Sequence, residues 1–255
     1  MAARLGALFA TLVLLWAGPA AAGPFSDWAA IVVAGDFRGS EGGPTEAFDN
    51  ARRDVAVALQ RAGFAPGNIR QFSVRPTRYA DTHPLPAEPR ALIDGLTELT
   101  GRATGGCLIY FSSHGSPQGV VMGEQMVSPR ALSMLLDRTC GTRPTVVVLS
   151  ACFSGVFVPA LAGPNRMVLT AARRDRTSFG CGQANRYPYF DDCFLQSMPG
   201  SPSFPSLAGT VQTCVAQREI KEGAAPPSEP QIFIGAELRP LLPLMRFASP
   251  PARDN

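Results

Sequence analysis

The sequence predicts an α/β fold: one mostly parallel sheet of about six strands, with helices on both faces. Three observations carry this. Short apolar runs, each ended by glycine, serine or a polar turn, recur along the chain and read as buried parallel strands. Stretches with apolar residues three and four apart lie between them, the alternation expected of a covered parallel sheet. No linker and no internal repeat divides the chain.

The elements follow in order. Ala29 to Ala34 is the first strand, ended by Gly35 and a glycine-rich loop to Gly43. Thr45 to Ala62 is a helix with Phe48, Val55, Leu59 and Ala62 on one face, stopped by Gly63. Ile69 to Val74 is the second strand, and the proline-rich stretch Arg75 to Pro89 reads as a loop. Arg90 to Thr100 is an amphipathic helix, and Cys107 to Ser112 the third strand. Val120–Met122 and Gln125–Val127 flank Gly123-Glu124 and predict a hairpin. Ser128 as N-cap and Pro129 at the first helical position start a helix to Asp137. Thr145 to Leu149 and Arg166 to Thr170 are the next strands. Helices follow around Asp191 to Gln196 and Leu207 to Lys221, then a last strand, Gln231 to Ile234.

Composition narrows the class. The 255 residues are 45% hydrophobic and 17% charged, enough apolar content for one large core. The net charge is only +3 and the basic residues are scattered, so no nucleic-acid footprint is present. Residues 1–22 read as a signal peptide: Arg4, an apolar run from Leu5 to Trp16, then Ala20-Ala21-Ala22. The run is short for a membrane span, and Gly18-Pro19 interrupts it. The expectation is therefore an exported protein, periplasmic or extracellular, with no membrane partner after signal removal. The domain is expected over 23–249 and a disordered tail over 250–255. The Ala/Arg/Gly/Pro usage suits a GC-rich bacterium.

An exported chain with six cysteines is expected to form disulfides. If all six paired, no thiol would remain for chemistry, so Cys152 is kept free. Cys107 with Cys140 and Cys181 with Cys193 are the expected pairs, with Cys214 a buried thiol on a helix. The chain has two histidines and no C-x-x-C pair, so neither a zinc site nor any other cofactor is expected.

His114 comes straight after one apolar strand and Cys152 straight after the next. In an open α/β sheet sites form beyond the carboxyl ends of the strands. Neighbouring strands lie about 4.8 Å apart, which puts imidazole and thiol within reach of one another. A thiol reacts as thiolate, and a nearby imidazole takes or balances its proton. Gly115 lets the backbone approach a substrate, and its N–H with that of Cys152 is suited to an oxyanion. On spacing alone the bland alternatives stand beside this: a core cysteine ending a strand, and a loop histidine at the surface.

The blocks Phe111-Ser-Ser-His-Gly115, Val147-Val-Leu-Ser-Ala-Cys-Phe-Ser-Gly155 and Leu169-Thr-Ala-Ala172 resemble, in order, those of the legumain-like C13 cysteine peptidases of the caspase-like clan. Arg176 to Cys181 and Tyr189 to Asp192 are similar to the family's continuation. The resemblance implies a caspase-like three-layer sandwich and a peptide or protein substrate. It implies Cys152 as nucleophile, His114 as proton donor to the leaving amine, and Gly115 with Cys152 as oxyanion amides.

The same resemblance implies a specificity pocket with departures. Asparagine-selective relatives carry an acidic residue where this chain has Ser150. Asp192 matches an acidic pocket residue, Thr177 and Ser178 match the pocket wall, and Arg38 is a further wall candidate. Asp192 without a compensating arginine favours a basic P1 side chain; Arg38 or Arg52 beside it would not. Asp192 read alone is a helix N-terminal carboxylate facing the macrodipole. The residue orienting His114 is unassigned. The leading expectation is a cysteine endopeptidase acting through a thioester. The alternatives are a transpeptidase of the same chemistry and an inactive caspase-like binding module. A serine hydrolase using Ser154 is the weakest, since G-x-S-x-G is missing.

Overall fold

The computed structural model describes residues 23–248. In chain order the elements are β1 (Trp28–Ala34), α1 (Ala47–Arg61), β2 (Ile69–Ser73), β3 (Leu85–Pro86), α2 (Pro89–Arg102), β4 (Gly106–Ser112), β5 (Gly115–Ser116), β6 (Gly119–Met122), β7 (Gln125–Val127) and α3 (Pro129–Thr139). Then come β8 (Thr145–Ser150), α4 (Val158–Leu161), β9 (Arg166–Thr170), α5 (Tyr189–Ser197), α6 (Phe204–Glu222), β10 (Gln231–Ile234) and α7 (Leu238–Leu241). The expected signal peptide and tail lie outside the described residues. No described helix is long and apolar enough to cross a membrane.

The main sheet has seven strands in the order β10-β9-β8-β4-β1-β2-β3. All neighbours are parallel except β10, which runs antiparallel to β9. The main-sheet strand missing from the sequence reading is β3, and in the small sheet β5 is likewise unpredicted. β3 is two residues long, and its prolines hid it; an edge position tolerates Pro86. The predicted hairpin forms as β6–β7 and, with β5, makes a separate three-stranded sheet. Ser128 caps α3 as expected, its hydroxyl accepting from Ala131 N–H at 3.2 Å.

Strand residues alternate strictly between two cores. Ala30, Val32, Leu108, Tyr110, Val146 and Val148 face one, shared with residues of α1, α5 and α6. Ile31, Val33, Ile109, Phe111, Val147 and Leu149 face the other, shared with α2 and α3. Each fully buried aliphatic or aromatic side chain contributes roughly 1.5–3 kcal/mol. The central strands β1, β4 and β8 are buried along their whole length, so their carboxyl ends are firmly placed.

Two disulfides form. Cys107–Cys140 joins the start of β4 to the end of α3, as expected. The second expectation is corrected: Cys193 of α5 pairs with Cys214 of α6, and Cys181 is free with Cys152. The reason is helix packing, since α5 and α6 lie side by side and bring the two Cα atoms to 5.7 Å. Cys181 sits in the loop before α5, where its carbonyl accepts from Ser40 N–H at 3.3 Å.

Candidate active site

β4 and β8 pair in parallel up to Ser112 opposite Ser150. One further bond, Ser113 N–H to the Ser150 carbonyl at 3.0 Å, carries the contact past the strand ends. His114 lies two residues beyond Ser112, and Cys152 two residues beyond Ser150. Both therefore leave the same edge of the sheet on adjacent strands. Alternation places Leu108, Tyr110 and Ser112 on the α1/α5 face, and His114 continues it. Its ring meets that of Phe48 of α1 edge to face, with centroids 5.1 Å apart.

His114 Nε2 lies 2.7 Å from the carbonyl oxygen of Arg38, in the loop after β1. A carbonyl only accepts, so in the neutral tautomer the ring proton sits on Nε2 and the lone pair on Nδ1. The group orienting the histidine is thus a backbone carbonyl. Arg38 itself turns its guanidinium away, to Asp36 at 3.0 Å and Glu124 at 3.6 Å.

Cys152 sits in a turn forced by Phe153, whose left-handed backbone (φ 56°, ψ 11°) is rare for a bulky residue. The turn is stitched to the end of β9. Ser154 Oγ accepts from Ala172 N–H at 3.1 Å, and Gly155 N–H donates to the Ala172 carbonyl at 2.9 Å. The Ser-Gly of one block and the Thr-Ala-Ala of the next are therefore a structural clasp. Ser154 is buried and so engaged, which removes it as a nucleophile. Ser178 N–H donates to Cys152 Sγ at 3.2 Å, and Ser178 Oγ lies 3.5 Å away. Burial pushes the Cys152 thiol above its ordinary range, and the Ser178 contacts offset part of that.

Gly115 packs directly on the nucleophile's backbone. A Cβ there would stand 2.2 Å from the Cys152 carbonyl oxygen, so no larger residue fits. Val121 N–H donates to the His114 carbonyl at 2.9 Å, and Gly115 is opposite Val120. By antiparallel alternation Gly115/Val120 is then the pair without hydrogen bonds, so Gly115 N–H points away from β6. Cys152 N–H makes no backbone hydrogen bond among the described residues. The Gly115 and Cys152 N–H groups thus lie beside the thiol without a backbone acceptor among the described residues.

The remaining expected site residues divide. Ser178 is at the thiol and Thr177 beside it is exposed. Ser150 is buried, its hydroxyl donating to Asp191 at 2.6 Å rather than lining an open pocket. Asp192 binds Arg218 of α6, whose guanidinium lies over the Tyr189 ring at 4.3 Å. Its compensating arginine is therefore neither Arg38 nor Arg52. Arg52 is wholly buried on Asp49 at 2.9 Å. Sequence reasoning missed Asp191. The helical period held a signal: Asp191 shares its face with the buried Phe194 and Met198, whereas Asp192 is turned outward.

The likeness to known proteins agrees with this layout. Residues 97–205, from within α2 to the start of α6, match the family model described as the Peptidase C13 family. The fold is similar to that of caspase-1 from Spodoptera frugiperda, at 11% identity and a TM-score of 0.58, covering 89% of this chain and 94% of that one. It is also similar to protein GSU0716 from Geobacter sulfurreducens, at 13% identity and a TM-score of 0.56, covering 82% and 93%. At such identities the likeness is one of fold. No curated protein matches the sequence. The fold is thus caspase-like α/β, and the family indicates a cysteine peptidase-type function. Over residues 97–205 the sequence is thus similar to the C13 peptidases, and over most of its length the fold is similar to that of the caspases.

Proposed function

We propose that the chain is an exported cysteine endopeptidase that hydrolyses peptide bonds through His114 and Cys152. The observation that carries the reading is the register of β4 and β8, which delivers imidazole and thiol from paired positions at one sheet edge. The Cys152 thiol gives its proton to His114 Nδ1 and attacks the scissile carbonyl carbon. The oxyanion is held by the Gly115 and Cys152 N–H groups. His114 returns the proton to the leaving amine as the C–N bond breaks, leaving a thioester. Water, deprotonated by His114, then hydrolyses the thioester and frees the thiol.

Export is supported by the leader-like residues 1–22 and by two disulfides, which persist in oxidising compartments. The Asp192–Arg218 pair speaks against a basic P1 preference set by Asp192 alone. The test is cleavage of a P1-diverse peptide library by the mature protein and by Cys152→Ala. Cleavage by the first and none by the second is expected; equal cleavage by both defeats the assignment.

A further inference from the structure

Beneath the two catalytic positions lies a carboxyl group that the mechanism above does not use. Asp191 of α5 has no exposed surface. Its Oδ2 accepts from Ser112 Oγ at 2.9 Å and from Ser150 Oγ at 2.6 Å, and its Oδ1 from the phenolic O–H of Tyr110 at 2.6 Å. Ser112 and Ser150 are opposite one another in the β4–β8 ladder, each two residues before a dyad member. One oxygen therefore ties together the last paired residues of the strands that deliver His114 and Cys152.

We propose that Asp191 is a positioning residue, a buried clamp that holds the ends of β4 and β8 at the spacing the dyad needs. This rests on the reading of His114 and Cys152 as that dyad. Asp191 is not a specificity carboxylate, since three hydroxyls and the sheet edge close it off from any substrate. Stability alone does not account for it. Burial raises its pKa to about 7 against the pull of its hydroxyl partners, so the ion is costly where it stands. Apolar residues fill this layer on the neighbouring strand positions, Leu108, Val146 and Val148. A costly charged group kept under a reactive site is the pattern of a functional constraint.

The test compares kcat and KM, per active site titrated with an irreversible thiol probe, for the wild type, Asp191→Asn, Ser112→Ala and Ser150→Ala. Asparagine keeps the shape but loses one acceptor and adds donors. A displacement of about 1 Å in the dyad costs about 100-fold. Asp191→Asn is therefore expected to lose about 10–100-fold in kcat with KM within about threefold. The serine variants should lose less, and the Asp191→Asn/Ser150→Ala double variant should be no slower than Asp191→Asn alone. Unchanged kcat per titrated site in Asp191→Asn overturns the clamp, because a purely structural role lowers only the folded fraction. If Asp191→Asn does not fold, the two serine variants decide on the same criterion. Absence of Cys152-dependent turnover in the wild type overturns the peptidase reading itself, a result distinct from an active wild type with an equally active Asp191→Asn.

Discussion

Replacing Gly115 by alanine puts a methyl group 2.2 Å from the Cys152 carbonyl oxygen and 2.9 Å from Ala151 Cβ. A carbon and an oxygen settle at about 3.3 Å, so the two segments must part by about 1 Å. Neither is free to move. Gly115 is held in the small sheet through β6, and Cys152 by the clasp between Ser154, Gly155 and Ala172. Overpacking of this kind costs about 1–3 kcal/mol. For a chain of this size that lowers the melting temperature by about 2–4 °C per kcal/mol. The same displacement pulls the thiol and one oxyanion N–H from their places, a loss of about 100-fold in kcat/KM, or about 3 kcal/mol of transition-state stabilisation. The assay is kcat/KM on the best library peptide alongside a melting curve. Activity within about threefold of wild type at unchanged melting temperature would show that Gly115 does not abut the nucleophile.

Three further outcomes are expected. Because burial holds the Cys152 thiol above its ordinary range, its alkylation by iodoacetamide should gain rate at higher pH than a free cysteine does; a midpoint below that of free cysteine contradicts the geometry. Asp191, with its pKa raised to about 7, binds its proton more tightly folded than unfolded. Its contribution is favourable below about pH 4 and is lost as pH rises to about 7, by roughly 4 kcal/mol in all. Denaturant melts of Asp191→Asn at pH 5 and pH 8 should thus show a smaller loss with pH than wild type; an identical loss refutes the shift. Thiol titration of the unfolded, unreduced chain should find two free cysteines, Cys152 and Cys181, with peptide mapping joining Cys193 to Cys214; a Cys181–Cys193 peptide refutes the pairing.

What was legible in the sequence followed local rules. β1, β4, β8 and β9 are continuous apolar runs because both their faces are covered, and that signal needs no tertiary information. The strand-end positions of His114 and Cys152 came from the same runs. What failed depends on contacts between distant segments. Cys193 sits 12 residues from Cys181 and 21 from Cys214, and only the packing of α5 on α6 selects the farther partner. β3 is held by a short pairing with β2 that its prolines concealed. The carbonyl that orients His114 belongs to the backbone of Arg38, and a backbone group leaves no mark in a sequence. Asp191 and Asp192 look alike in a row of letters; the rotation of about 100° between neighbouring helical residues sends the first under the sheet edge and the second to Arg218.

The central claim is that Cys152, served by His114, is the nucleophile. Among the described residues a second free thiol, Cys181, offers an internal control. The direct measurement is to treat the protein with a peptidyl acyloxymethyl ketone and map the adduct by mass spectrometry. The account predicts a single adduct on Cys152, none on Cys181, none in Cys152→Ala, and labelling slowed at least about 100-fold in His114→Ala. An adduct on Cys181, or equal labelling rates with and without His114, would contradict it.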